Sequence, residues 1–309
     1  MNLEAFVLGC GGMMPLPGRH LTSVLLRREG ALFLFDCGEG TQVSLRRLNL
    51  RWKKISVIFI SHTHADHVTG LPGILMLSSQ VDREDPLYII GPPKIREYVE
   101  ASRNVLDMYI NYEIIVQEIS GPGEVYAGEG FVVKSFPLHH SKPCYGYSLE
   151  ENKRPGVFFP DKAREKGVPE GPLWARLQGG ESVVLPDGRT VSPEDVLGSP
   201  RSGRKFSYVT DTIYLNTIAP EVRNSDLLIC EGMFSDELAA SATEKKHLTA
   251  KQAASIARDA GGVKRLGLIH YSPRYTERDL KVLLDDARSV FPDSFLTRDR
   301  QTLRILYDD

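Results

Sequence analysis

Four metal-capable side chains, His62, His64, Asp66 and His67, fall within the hexapeptide HTHADH, one residue beyond the apolar run Val57–Ile60. The apolar run reads as a strand. The hexapeptide therefore occupies the loop at a strand's C-terminal end, where α/β folds build ligand sites. In extended backbone the alternate residues His62 and His64 share one side, while Asp66 and His67 follow the turn and can face a second ion. Imidazole and carboxylate together suit zinc and related divalent metals. A lone histidine at a strand end is ordinarily a hydrogen-bonded structural residue, but four such donors in six positions are not explained that way.

The other candidate ligands share this setting. His140 follows FVVKSFPLH, Asp211 follows FSYVT and His270 follows LGLI, each just past an expected strand. His139 puts a second imidazole beside His140. Three side chains and a shared carboxylate on each side would make a two-metal site. Ions ~3.5–4 Å apart can activate a water and stabilise the oxygens of an in-line phosphoryl displacement.

Strand-like runs recur in both halves. They are Ala5–Leu8, Ala31–Phe35, Val57–Ile60, Leu87–Ile90 and Phe131–Leu138, then Phe206–Val209, Leu227–Cys230, Leu266–Ile269 and Leu303–Leu306. Helical patterns lie between them. Thr249 and Gln252 have the spacing of a capping box ahead of an Ala-rich run that ends at Gly261-Gly262, and Thr276–Val290 reads as a second helix. Strands alternating with helices predict an α/β fold. At 309 residues the chain allows one large domain or two ordinary ones.

Residues 151–203 break the pattern. They are rich in Pro, Gly and charge, with a short helical stretch at Asp161–Lys166 and a hairpin expected around Asp187-Gly188. A stretch of that length is expected to be functional or disordered, and it reads as an insertion with its own small structure. With 38 basic and 40 acidic residues the net charge is −2, which excludes nucleic-acid binding by bulk charge but leaves room for a local basic patch. No run approaches the ~18 apolar residues of a membrane helix. The N-terminus lacks the basic start of a secretory signal. Cys10, Cys37, Cys144 and Cys230 form no CxxC pair, so a disulfide framework or zinc ribbon is not expected. The expectation is a soluble, cytoplasmic protein.

HTHADH resembles the metal motif of the metallo-β-lactamase superfamily, and the remaining motifs narrow the resemblance to ribonuclease Z, the tRNA 3′-processing endonucleases. FDCGEGTQ at 35–42 is similar to the first motif of that family and SHTHADHVTGLPGIL to its metal loop. In HSKPCYGYS four residues separate His140 from Tyr145-Gly146-Tyr147, the family's spacing, which selects His140 over His139. VTDT resembles its usual GDT, CEGMF its HEATF with Cys230 in place of His, HLTAKQAA its HSTAAQAA, and IHYSPRY its closing motif. The N-terminal LGCGGMMPLPGRHLTS resembles the family's first loop only loosely. The likeness runs through nearly the whole chain.

The resemblance implies a single domain over 1–309, a four-layer αβ/βα sandwich, with 151–203 as an insertion containing a protruding tRNA-binding arm at about 154–186. It implies two Zn2+ per chain, with Mn2+ or another divalent metal as alternatives: His62, His64 and His140 hold one, Asp66, His67 and His270 the other, and Asp211 bridges them. The implied partners are precursor tRNA and a second copy of the chain in a homodimer, with no membrane. A water activated between the ions would attack phosphorus, oriented or deprotonated by Asp66, and His247 would protonate the departing 3′ oxygen, leaving tRNA ending in 3′-OH and a trailer with a 5′-phosphate. Asp36 is expected to orient a ligand histidine. In the arm, Lys153, Arg154, Lys162, Arg164 and Lys166 lie near Phe158 and Phe159, a composition that fits RNA phosphates. Arg274 is a candidate phosphate clamp, or an ion pair that fixes the ligand loop. The basic run at 46–54 has as its plain alternative a solvated face. The competing functions are a phosphodiesterase of this fold acting on small phosphodiesters and a non-catalytic RNA-binding protein whose metals are structural.

Overall fold

The computed structural model describes residues 2–81 and 83–308. The chain divides into two compact units, one of residues 1–128, 132–149 and 204–309, the other of 129–131 and 150–203.

The first unit is built on two seven-stranded sheets. One contains β1 (Leu3–Gly9), β2 (Ser23–Arg28), β3 (Ala31–Phe35), β4 (Ile55–Phe59), β5 (Leu87–Gly91), β6 (Ile114–Glu118) and β16 (Thr302–Ile305), in the order β16-β1-β2-β3-β4-β5-β6. The other contains β7 (Gly123–Gly128), β8 (Phe131–His139), β9 (Pro143–Glu151), β12 (Lys205–Val209), β13 (Leu227–Glu231), β14 (Leu266–Ile269) and β15 (Ser294–Leu296), in the order β15-β14-β13-β12-β9-β8-β7. Strands β3 to β6 are parallel in the first sheet and β12 to β15 in the second. Parallel strands buried on both faces read as unbroken apolar runs. LLICE and LGLI, wholly buried, are of this kind.

The two sheets meet through aromatic rings. Phe35 lies 5.1–6.1 Å, centroid to centroid, from Phe59, Tyr147, Phe206 and Tyr208, and Phe59 is 5.3 Å from Tyr147. Such pairs contribute roughly 0.5–1.5 kcal/mol each beyond their buried area. Helices α1 (Thr41–Arg47), α2 (Ala65–Val68), α3 (Leu71–Ser79) and α4 (Ile95–Val105) belong to the first half. Leu45, Ile74, Leu75, Ile95 and Val99 from these helices join Leu25, Leu34, Ile58 and Ile89 of the first sheet in one buried cluster. Helices α8 (Ile218–Val222), α9 (Ala239–Lys245), α10 (Ala250–Ala260) and α11 (Leu280–Arg288) belong to the second half. Ala250, Ala253, Ala254 and Ala257 make the buried stripe of α10, which packs on β13 and β14. The result is the four-layer αβ/βα sandwich expected from the sequence.

In the second unit, α5 (Pro160–Glu165), α6 (Pro172–Gln178), the hairpin β10 (Val183–Val184) and β11 (Thr190–Val191), and α7 (Pro193–Val196) enclose a small core of Ala163, Val168, Leu177, Val183, Leu185, Val191 and Val196. Residues 154–186 alone do not complete this core, because Val191 and Val196 belong to it. Its two ends are joined by paired backbone bonds between Arg154 and Arg201. Gly188 takes φ +85° in the hairpin turn. The capping box at Thr249 forms through both of its bonds. Helix α11 is shorter than Thr276–Val290 because the Asp279 carboxylate accepts from the Thr276 backbone N–H and hydroxyl, holding those residues in a turn ahead of the helix.

Candidate metal and catalytic centre

Strand ends in both sheets collect the site. His62 and His64 follow β4, Asp66 and His67 start α2, His140 follows β8, Asp211 follows β12, and His270 follows β14. His62, His64, His140 and Asp211 offer ligand atoms within 4.8 Å of one another, as do Asp66, His67 and His270. The two oxygens of Asp211 divide between the clusters. Oδ1 lies 3.4 Å from His67 Nε2 and 3.3 Å from His270 Nε2, and Oδ2 lies 3.6 Å from His62 Nε2 and 3.7 Å from His140 Nε2. All seven sequence-derived ligand candidates are therefore brought together, and the exposed His139 is not.

The hydrogen bonds around the rings fix their tautomers. Asp36 Oδ1 accepts from the Ser61 N–H at 2.7 Å, and Oδ2 accepts from the Ser61 hydroxyl at 2.8 Å, His67 Nδ1–H at 2.8 Å and the Tyr208 hydroxyl at 2.7 Å. Because the Ser61 proton goes to Asp36, its oxygen accepts from His62 Nδ1–H, 3.0 Å away. Thr22 likewise donates to the Gly11 carbonyl and accepts from His270 Nδ1–H at 2.8 Å. His140 Nδ1–H donates to the Lys246 carbonyl at 2.9 Å. His62, His67, His140 and His270 thus all keep the Nε2 lone pair for the centre, while His64, with Nε2 at Ser141 Oγ, turns Nδ1 inward. Outer partners of this kind hold metal-binding imidazoles in place.

Three observations test whether these residues fit a divalent metal pair. His67 Nε2 and His270 Nε2 are buried and, among the described residues, have no hydrogen-bond partner. A Cβ on Gly12 would lie 2.6 Å from His270 Nε2, so glycine keeps the space before that nitrogen open. Burial, then neighbouring imidazoles, push the pKa of His62 well below its ordinary value, and burial lowers those of His64 and His140. Neutral imidazole is the form that binds metal. His67 is the counterpart: burial opposes its charge, but Asp211, Asp36 and Asp66 surround it and hold its pKa well up, a field that a bound cation would equally satisfy. The residues fit the group. His270 holds φ +64° and Asp36 φ +55°, conformations that L residues rarely take and that cluster at functional sites.

Asp66 Oδ2 accepts from the Met13 N–H at 2.7 Å. Burial raises its pKa, yet the His67 and His270 charges bring it below the ordinary value. His247 precedes α10, and its Nδ1 lies 3.1 Å from Glu231 Oε2. Burial works against a charge on His247, while Glu231 and then Asp211 raise its pKa to about 9. The ring also lies within ligand reach of Asp211 and His270, but its Nδ1 is committed to Glu231. Glu231 was not singled out from the sequence. Its signal was its position in CEGMF at the end of a strand, like the ligands themselves; the Thr212 N–H holds its other oxygen at 2.7 Å. Arg274 stacks over Phe234 at 5.0 Å and donates to Ser272 Oγ. Arg46, Arg47, Arg51, Lys53 and Lys54 are exposed. In the second unit, Arg164 pairs with Asp161 and Glu170, Lys166 pairs with Asp195, and Lys162 Nζ sits 4.6 Å from the Phe159 ring centre.

Comparison with known proteins agrees with this geometry. The family model of the Anti-Pycsar protein Apyc1 matches residues 3–158, placing that half of the chain, with its metal loop, in this family. Ribonuclease Z of Treponema denticola is 68% identical over 309 residues, all of both chains, and that of Treponema pallidum (strain Nichols) is 65% identical over 307 residues, 99% of each. The solved structure of human tRNase Z, short form, superposes with a TM-score of 0.72 at 26% identity, covering 98% of this chain and 99% of that one. Full-length identity at this level, on the metallo-β-lactamase fold and with the site assembled from its own motifs, means that the chain belongs to the ribonuclease Z family.

Proposed function

We propose that this chain is a two-zinc endoribonuclease that removes the 3′ trailer of precursor tRNA, leaving tRNA with a 3′-OH and a trailer with a 5′-phosphate. The observation that carries the reading is Asp211, whose two oxygens face two separate imidazole clusters 3.3–3.7 Å away. His62, His64 and His140 would hold one ion, Asp66, His67 and His270 the other, with Asp211 between them. Divalent ions bound there would activate a water and offset the charge that builds on the phosphoryl oxygens.

The chain's own groups do the rest. Asp66, ionised and held by the Met13 N–H, orients the attacking water and can accept its proton. His247, kept protonated by Glu231, donates a proton to the departing 3′ oxygen. Residues 154–186, within the second unit, grip the tRNA; the Lys162–Phe159 pair, a cation over a half-exposed ring, suits that contact. The family resemblance supports a homodimer working in the cytoplasm, and the donor set accommodates Mn2+ as well as Zn2+.

The test is incubation with end-labelled precursor tRNA, mapping of the cut, and elemental analysis of the same preparation. One cut at the trailer junction and about two divalent ions per chain are expected. Hydrolysis of bis(p-nitrophenyl) phosphate with precursor tRNA left whole would favour the small-phosphodiester reading instead.

A further inference from the structure

We propose that Lys142 and Lys246 form a cationic clamp for the phosphates flanking the scissile one, and so help the site select a polynucleotide strand; this rests on reading the chain as an RNA endonuclease. The two lysines come from different loops but reach the same rim. Lys142, two residues past His140, is exposed, and its Nζ donates to the Thr63 carbonyl at 2.8 Å, between His62 and His64. Lys246 is half-buried at the end of α9. Its carbonyl takes the His140 Nδ1–H, and its Nζ reaches the His140 carbonyl at 3.5 Å. Both ammonium groups are thus tethered to the backbone of ligand-bearing loops, at the edge of the His62, His64 and His140 cluster.

Their partners set them apart from the ion-paired lysines. Lys166, Lys251, Lys264 and Lys281 are each paired with a carboxylate. Among the described residues neither Lys142 nor Lys246 has a carboxylate partner within ion-pair distance. The nearby carboxylates are engaged elsewhere, Asp211 with the imidazoles and Glu231 with His247. Two unneutralised cations beside a centre built for divalent ions repel that centre. A polyanion laid across the rim relieves the repulsion, and a lone phosphodiester, which is drawn inward to the centre, leaves the rim cations unmatched. Lys246 adjoins His247, the group that meets the departing 3′ oxygen, so it takes the phosphate on the 5′ side of the leaving nucleoside. Lys142, on the Thr63 side, takes another phosphate of the same strand. Charged grooves that follow a single strand work in this way. At Lys246 the backbone has φ +58°, so asparagine, which tolerates that conformation, is the replacement that removes charge with least strain.

The experiment compares the parent with Lys142→Gln, Lys246→Asn, the double variant, and Lys142→Arg and Lys246→Arg. Precursor tRNA and bis(p-nitrophenyl) phosphate are the substrates, at several salt concentrations and with metal content measured for each protein. Each neutral variant is expected to raise KM for precursor tRNA about three- to tenfold, with a smaller change in kcat. Each should also flatten the slope of log(kcat/KM) against log salt by about 0.7, the value for one phosphate contact to a single strand. The arginine variants should restore both, and the loss on the small substrate should be at least about fivefold smaller than on RNA. Parental KM and salt slope in metal-replete neutral variants, or equal losses on both substrates, overturn the clamp while leaving the endonuclease reading intact. A parent that cuts no precursor tRNA overturns both.

Discussion

Replacing Asp36 with asparagine isolates the work of one buried carboxylate. Its side chain is fully buried and accepts four hydrogen bonds, three of them at Oδ2. An amide can keep its oxygen on the Ser61 N–H, which places NH2 where Oδ2 was. The Ser61 and Tyr208 hydroxyls can rotate and accept. His67 Nδ1–H cannot, unless the ring moves its proton to Nε2, the nitrogen that faces Asp211 and the centre. The variant must either leave one buried donor unpaired, at a cost of roughly 1–3 kcal/mol, or adopt the tautomer that cannot bind metal. Loss of such an outer partner typically lowers metal affinity ~10–100-fold, equivalent to about 1.4–2.8 kcal/mol. The assay is competition with a chromogenic chelator, alongside thermal unfolding of the metal-free protein. Tyr208→Phe is the control, since it removes one donor but leaves the carboxylate, and its metal affinity should stay within about threefold of the parent. A folded Asp36→Asn protein with parental metal affinity would refute the tautomer argument.

Three further outcomes are expected. His247→Ala should keep its metal and lose kcat on precursor tRNA by ~10²–10⁴-fold, with a smaller defect on bis(p-nitrophenyl) phosphate, whose leaving group needs no proton; equal losses on both would remove His247 as the acid. Glu231→Gln removes the carboxylate that raises the His247 pKa to about 9. A general acid works only when protonated and activity falls as pH rises through its pKa, so the basic limb of the kcat profile should move to lower pH, and an unmoved limb counts against the pair. Replacing residues 155–200 with a short Gly/Ser linker uses the junction where Arg154 and Arg201 already pair; cleavage of precursor tRNA should fall at least about tenfold while small-phosphodiester hydrolysis persists, and undiminished tRNA cleavage would show that the segment is not the grip.

The parts of the fold that could be read from sequence are those where one physical cause dominates. Ala31–Phe35 and Leu266–Ile269 match β3 and β14 in full, because a buried parallel strand is a short apolar run between turns. The start of α10 was visible because a capping box is local chemistry. Strand β2 and helix α4 were not singled out. The Arg-ended SVLLRR lacks a polar–apolar alternation, and α4 is assigned by its packing through Ile95 and Val99. At the site, the ligands were legible because each follows a strand end. Glu231, the Met13 N–H on Asp66 and the Lys246 carbonyl on His140 were not, since they depend on which loops fold beside one another. Choosing His140 over His139 required the spacing of a neighbouring motif, as His139 ends β8 and His140 is the very next residue.

The order in which these ligands occur along the chain also matters during synthesis. The HTHADH loop leaves the ribosome early, while His270 and strands β14 to β16 come within the last part of the chain. Strand β16 then pairs with β1, joining residues far apart in the sequence. Until that happens the nascent protein holds a cluster of imidazoles but no complete centre, and it is surrounded by ribosomal and transfer RNA. Spreading the site along the sequence therefore leaves the centre short of a ligand until His270 has been made and β14 has joined its sheet.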